Sequence, residues 1–276
     1  MDSTPDDIEF LVASDHRVGT LDALASGPRD RDELRSATGA SSPTMSRILT
    51  DFEERNWLER EGRTYRLTGL GEFVADRLAE FVDAMTIERQ LRDVWRWLPH
   101  EFDGFSVELF SDVDVTYPGP GYPDRPTERR LELIGETARW RGFGVAMLGL
   151  RTLETSFDRF LDQQDEFRCE YIYPPEVFEE LLSWGDTETI VEAADSDSYT
   201  VLLHEDLPTD DRYEICLFDD RVTICCYDHE KGGLQALVET TSPDVRTWAE
   251  SYYERFRNEA QHLGDAYERG SLPSLD

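Results

Sequence analysis

The chain has 276 residues and a formal charge of −32, with 60 acidic against 28 basic residues, and only one of the latter, Lys231, is a lysine. Carboxylates hydrate a surface in concentrated salt, and the weakly hydrated guanidinium supplies the remaining positive charge, so this is a salt-adapted composition that points to a halophilic, archaeal cytoplasm. It excludes an ordinary mesophilic acidic protein, which would keep many lysines. The absence of any 18-residue apolar run and of a basic, apolar N-terminus excludes a spanning helix and a signal peptide.

In chain order, Ser14 can cap a helix whose apolar positions Val18, Leu21, Leu24 and Ala25 stop at Ser26-Gly27-Pro28. A short second helix spans Asp30 to Ala37. Thr38-Gly39-Ala40 then makes a tight turn, where glycine permits a positive backbone angle. The next segment, Ser41 to Trp57, carries a helix start, a core-facing apolar spacing and a polar opposite face. Ser42 is expected to cap it, Pro43 suits its first turn, and Met45, Ile48, Leu49 and Phe52 repeat at helical spacing. This is helix-turn-helix order, and the third helix reads as a DNA-recognition helix, with Ser42, Thr44, Ser46, Arg47 and Thr50 as groove contacts.

After it, Trp57 to Arg60 and Arg63 to Leu67 flank Glu61-Gly62, a hairpin signal that predicts a two-stranded wing. Arg60, Arg63 and Arg66 lie on or near that wing as expected phosphate or minor-groove contacts. Residues 29 to 66 hold eight arginines and eight carboxylates, whereas residues 81 to 276 hold 18 basic and 43 acidic residues, so the proposed DNA-binding core is far less acidic than the remainder. In molar salt the Debye length is roughly 3 Å, so repulsion between that remainder and phosphate is screened and close contacts carry the affinity. The usual loss of affinity with rising salt is expected to be weak or reversed, because carboxylates near DNA take up cations on binding.

The segments His16-Arg17, Leu21 to Leu24, Ser46 to Leu49 and Tyr65 to Thr68 resemble archaeal winged-helix transcriptional regulators over roughly residues 8 to 80. The resemblance lies in the ordered series of elements more than in any one motif.

From Thr68 towards Leu98 a long amphipathic helix is expected, its stripe formed by Leu70, Phe73, Val74, Leu78, Phe81, Val82, Met85, Leu91, Val94 and Trp95. Such a stripe must be buried, either on the C-terminal domain or on a twofold mate, and a homodimer is favoured because helix-turn-helix proteins usually read two half-sites. Residues 99 to 126, with Pro99, Pro118 to Pro123 and Pro126, have a composition that breaks regular structure and read as a connection. The expected organisation is a winged domain over 1–80, a linking helix and connection over 81–124, and an α/β domain over 125–276, an α+β chain overall.

Beyond the connection, helix and strand alternate. A helix runs from Thr127 to Arg141, followed by the apolar run Phe143 to Leu150, a helical segment to Gln164, a strand over Arg168 to Tyr173 and a helix opened by Pro174-Pro175. Strands follow at Tyr199 to His204, Tyr213 to Phe218, Val222 to Tyr227 and Leu234 to Thr240, then a helix opened by Ser242-Pro243 and running to about His262. The helix entry Tyr173 to Phe178, the hairpin Leu217 to Val222, Gly232-Gly233 and the segment Ser242 to Ala249 resemble the effector-like domain of archaeal regulators of the FilR type, named after a methanogen filamentation regulator. The resemblance implies a C-terminal sensory or assembly domain and carries over no ligand residues.

No nucleotide-binding glycine loop, zinc-protease motif or convergent acid, base and nucleophile set occurs, so no enzyme, cofactor or metal is expected. The five histidines lack ligand spacing, although His204-Glu205-Asp206 and Asp228-His229-Glu230 set carboxylates beside imidazoles. Cys169, Cys216, Cys225 and Cys226 read as core thiols, and the adjacent pair Cys225-Cys226, pointing to opposite faces of a strand, leaves one expected to be accessible. Tyr171, Tyr173, Trp184 and Phe218 read as core in preference to a pocket lining. The chain thus reads as a cytoplasmic, dimeric, operator-binding regulator, possible effector unknown. Its rival is a winged-helix protein-interaction module that contacts transcription machinery without specific DNA binding.

Overall fold

A computed structural model describes residues 3–144, 167–176, 198–207, 213–228 and 233–268. The chain divides into two units, Met1–Glu88 and Arg89–Asp276. In the first, α1 (Thr4–Val12) starts at Ser3, whose backbone amide donates to Asp6. α2 (Asp15–Ala25) ends at the Ser26-Gly27-Pro28 stop. The short strand β1 (Arg29–Asp30) leads into α3 (Arg31–Thr38), where the Asp30 carboxylate accepts from Asp32 N and Glu33 N, both at 2.9 Å, while Glu33 reaches back to Asp30 N. This reciprocal capping box fixes the start of α3. Gly39 ends it in the left-handed region, φ 71°.

α4 (Ser42–Glu54) follows immediately. Its cap is Ser41, whose hydroxyl accepts from Thr44 N, and not Ser42 as the sequence predicts; Ser42 is the first helical residue and Pro43 the second, where a missing N–H is harmless. Met45, Ile48, Leu49 and Phe52 are all buried, joining Leu11, Leu21, Leu24, Leu34, Trp57, Tyr65 and Leu67 in one core. Each of these side chains contributes about 1.5 to 3 kcal/mol relative to exposure.

β2 (Leu58–Glu61) and β3 (Thr64–Leu67) pair antiparallel as the wing, and β1 adds on the far side of β3, so the expected two-stranded wing is part of a three-stranded sheet in the order β1-β3-β2. α5 (Gly69–Leu91) follows β3 with Thr68 alone between them. A Cβ at Gly71 would lie 2.0 Å from the Trp57 carbonyl oxygen, so only glycine lets α5 cross the root of the wing this closely. Ala75 and Leu78 of α5 are buried, but Leu70, Phe73, Phe81, Val82 and Met85 are exposed, Phe73 by 63%. Among the described residues no helix is long and apolar enough to cross a membrane.

The second unit is built on an eight-stranded mixed sheet. Its strands are β4 (Asp114–Thr116), β5 (Arg139–Gly144), β6 (Arg168–Tyr173), β7 (Tyr199–Leu203), β8 (Tyr213–Leu217), β9 (Val222–Tyr227), β10 (Leu234–Thr240) and β11 (Gln261–His262), in the order β11-β7-β6-β5-β8-β9-β10-β4. β5, β6 and β7 run parallel and the other pairings are antiparallel. α6 (Arg125–Glu136) places Leu133 and Ile134 in the core formed with Trp140, Cys169, Tyr171 and Cys216. α7 (Pro243–Glu259) is capped by Ser242 and buries Trp248, Tyr252, Tyr253 and Phe256, and α8 (Leu263–Glu268) closes the described chain.

The expected linking segment 81–124 is divided between the units, and its proline-rich part is not a free connection. Phe102 stacks on Tyr252 at 4.2 Å, Trp97 donates to the Tyr227 carbonyl and β4 pairs with β10, so aromatic burial orders a composition poor in regular structure. All four cysteines are buried, which corrects the expected accessibility at Cys225-Cys226: the strand that carries both, β9, is covered on both faces. The apolar run into Leu150, the helix to Gln164, the helix continuing past Pro174-Pro175, Trp184 and the His229 cluster lie outside the described residues.

Candidate nucleic-acid interface

The five polar positions singled out on α4 meet different fates. Ser42 is half-buried and its hydroxyl accepts from Arg31, whose guanidinium also donates to the Ser42 carbonyl at 2.8 Å. Thr44 shares a 2.8 Å hydrogen bond with the Ser41 hydroxyl and belongs to the cap. Ser46 is half-buried, and its carbonyl accepts from the Thr50 hydroxyl at 3.0 Å. Arg47 and Thr50 are fully on the solvent side, in line with exposed Pro43 and Glu54 along one helical stripe. Among the described residues the Arg47 guanidinium has no hydrogen-bond or carboxylate partner.

The wing arginines separate in the same way. Arg66 faces Glu59 across the β2–β3 register and pairs with it at 2.8 Å and with Glu61 at 3.3 Å. Arg60 folds back, its Nε donating to the Gly62 carbonyl at 3.0 Å and its guanidinium lying 5.6 Å from the Tyr65 ring centre. Arg63, in the turn, is exposed and has no partner among the described residues. The geometry therefore leaves two uncommitted cations in this unit's recognition elements, Arg47 on the helix and Arg63 at the wing tip.

A residue the sequence reading passed over is Arg31. It ties the first turn of α3 to the first turn of α4 and so sets the angle at which α4 is presented. The signal was weak, since one arginine at a helix start normally means only a solvated charge. Arg17 and Arg55 hold the opposite end: both guanidinium groups lie 3.9 Å from the Phe10 ring centre, and they pair with Asp51 and Asp7, respectively, at 3.8 Å. These arginines are structural.

The second unit contains a different kind of polar cluster. Arg130 of α6 is buried beneath the helix and donates to Glu214 of β8 and, at 2.6 Å, to the Tyr227 hydroxyl, which in turn donates to Glu214 at 2.8 Å. Burial opposes the charge on Arg130, but the groups that face it, with Glu214 as the carboxylate among them, outweigh it and hold its guanidinium firmly protonated. Burial pushes the Cys169, Cys216 and Cys226 thiols up, away from thiolate chemistry. Ligand atoms of Glu214, Cys216 and Cys225 lie within 4.8 Å of one another, a metal-like grouping. Arg130 already balances its one carboxylate, and Cys216 is held in its thiol form, so the cluster is satisfied as an internal ion pair. Tyr171, Tyr173 and Phe218 pack in the surrounding core.

Residues 5–90 match the family described as HVO_A0261 N-terminal domain, and residues 123–259 match that described as methanogenesis regulatory protein FilR1, middle domain. Among solved structures, TrmBL2, described as an archaeal chromatin protein showing a novel mode of DNA binding, is 13% identical over 95% of this chain and 100% of its own, with a TM-score of 0.41. NucT from Helicobacter pylori is 12% identical over 55% of this chain and 98% of its own, with a TM-score of 0.42. Quinone-bound YodB from B. subtilis is 19% identical over 28% of this chain and 89% of its own, with a TM-score of 0.26. No curated protein matches the sequence.

Proposed function

From the two family matches, which make this an archaeal transcription-regulator-like chain, we propose a sequence-specific DNA-binding regulator that acts as a homodimer in a salt-rich cytoplasm, its C-terminal unit sensing a signal. The observation that carries the DNA-binding reading is the pair of uncommitted, exposed arginines on α4 and at the wing tip, in a unit whose other described arginines are paired or bonded. Arg47 suits a base edge, which a guanidinium can contact through two parallel hydrogen bonds, and Arg63 suits a phosphate beside the groove. Thr50 adds a hydroxyl on the same stripe. Ser42, Thr44 and Ser46 act mainly by holding the helix, and Arg60 and Arg66 contribute less than Arg63.

Support for a dimer comes from Phe73, Phe81, Val82 and Met85, which α5 leaves exposed. The role is one of binding, with no catalytic step. The test is selection of genomic fragments by the full chain in about 1 M potassium chloride, where screening acts beyond about 3 Å, followed by affinity measurements on the enriched sites. Palindromic enrichment, with Arg47→Ala weakening the enriched site by about 1 to 3 kcal/mol, is the expected result. Unchanged affinity in that variant would remove Arg47 from the interface, and no enrichment by a folded sample would shift the reading to a protein-interaction module.

A further inference from the structure

The carboxylates of this chain avoid one stretch of the winged unit. The 17 residues from Leu34 to Thr50 contain none, in a chain with 60 acids among 276 residues. The gap covers the turn at Gly39 and most of α4, whose first turn holds no acid, whereas every other described α-helix has at least one there. An acid at that end interacts favourably with the helix dipole, so an acid-rich chain that omits it gives up stability. The other end of α4 is reversed as well, with Glu53 and Glu54 exposed in a last turn that has no basic residue. Both departures leave one charge order on the helix, cationic at Arg47 and acidic beyond Thr50.

Pro43, Arg47 and Thr50 are exposed along one stripe of α4. What each can offer a partner is narrow. Pro43 has only ring methylenes. The Thr50 hydroxyl spends its one hydrogen on the Ser46 carbonyl at 3.0 Å, so the group it leaves free is its methyl. Arg47, with no partner among the described residues, keeps its planar fork of donors free. A donor fork between two apolar contacts matches a guanine between thymines. Guanine O6 and N7 accept two parallel hydrogen bonds from a guanidinium, and the thymine C5 methyl is the apolar group that the major groove presents. At roughly 1.5 Å per residue, Pro43 lies about 6 Å and Thr50 about 4.5 Å along the axis from Arg47, or one to two base steps of about 3.4 Å on either side.

We propose that α4 reads a half-site built on a single guanine, held by Arg47, with thymines one or two steps away whose methyls pack on Pro43 and Thr50. The inference rests on the DNA-binding reading above and deepens it from a duplex to a base pattern. The charge order of the helix sets which part of it enters the groove. The acid-free turns lie over the bases, and Glu53 and Glu54 stay clear of the phosphates at the far end. Specificity then comes from one hydrogen-bonded base and two shape contacts, with no reading by Ser42, Thr44 or Ser46, whose hydroxyls or carbonyls are engaged within the unit.

The test uses the duplex enriched by the full chain, remade with each guanine in turn as 7-deazaguanine, which lacks N7, and each thymine in turn as deoxyuridine, which lacks the methyl. The expected result is one guanine per half-site whose replacement weakens binding about fivefold or more, and a thymine on either side of it whose replacement costs about threefold. Arg47→Ala should abolish the guanine effect and leave the thymine effects. Thr50→Ser, which keeps the hydroxyl and its bond to Ser46, should abolish one thymine effect and leave the guanine effect. Selective binding that tolerates every replacement would overturn the inference while leaving the DNA-binding reading intact. So would a guanine effect that survives Arg47→Ala, or two thymine effects that survive Thr50→Ser. No selective binding by a folded sample would overturn both.

Discussion

In the winged unit, Arg47 and Arg63 extend from α4 and the wing turn without a partner among the described residues, whereas in the second unit Arg130 lies under α6 with its guanidinium bound to Glu214 and Tyr227. The residue type is the same and the chain's carboxylate excess is the same. What differs is where the fold puts an acid. A hairpin register that sets Glu59 against Arg66 neutralises one wing arginine, while Arg63, in the turn, falls outside the ladder and has no cross-strand position opposite it. In a strongly acidic protein, the arginines without a partner, more than the number of arginines, are therefore the ones on which the proposed DNA contact rests.

Removing the buried cation would test that contrast most severely. Arg130→Ala leaves Glu214 charged and unpaired under α6, and thermal or denaturant unfolding of the second unit should show a loss of about 3 to 5 kcal/mol. Replacing the pair together by Met and Leu should recover most of it, because an apolar pair of similar volume needs no charge compensation. DNA affinity per folded molecule should be unaffected by either change. In the winged unit, Gly71→Ala drives a Cβ into the Trp57 carbonyl and should cost roughly 1 to 3 kcal/mol, read as a lower melting temperature of that unit alone.

Acid titration sharpens the comparison on an intermediate case. Burial works to raise the Glu170 pKa, but hydrogen bonds from Arg257 and Tyr253 outweigh it and hold the carboxyl below its ordinary range. A depressed folded value contributes stability that is fully present above the unfolded carboxylate pKa and is lost as pH falls through the folded one. Arg257 is largely exposed, so the contribution is about 1 kcal/mol or less, and Glu170→Gln should flatten that part of the acid limb. The smallest effect is expected from Arg66→Ala, whose exposed pairs with Glu59 and Glu61 are worth under about 1 kcal/mol. Its operator affinity should fall less than that of Arg63→Ala, and a larger fall would mean that the ion pairs open on binding DNA.

The winged unit was largely legible in the sequence because its determinants are local. Apolar spacing marked the core side of α4, Gly39 marked the turn and Gly62 marked the hairpin. The cap slipped by one residue, since Ser41 and Ser42 are equally good acceptors and only backbone geometry distinguishes them. The fate of the wing arginines needed the strand register, and the role of Arg31 needed the angle between α3 and α4. In the second unit the strands β6 to β10 were visible as β-branched and aromatic runs. The ordering of residues 99 to 126 was hidden, because it rests on contacts to α7 and β10 more than a hundred residues away.

The root of the wing has a further consequence in time. Trp57 donates its amide to Phe52 and accepts from the Thr68 amide, each at 2.9 Å, the Thr68 hydroxyl bonds the Asn56 carbonyl, and α5 lies directly over the crossing at Gly71. The amides of Trp57 and Thr68 should exchange with deuterium only when the whole unit opens, while those of Gly62 and Arg63 exchange through local fluctuation. The wing is then a lever with a clamped base and a loose end. Its tip arginine can sample orientations on the fast timescale of loops while the base holds the wing against the C-terminal end of α4, so on the proposed DNA-binding role a search for a phosphate would proceed without disturbing the helix beside it.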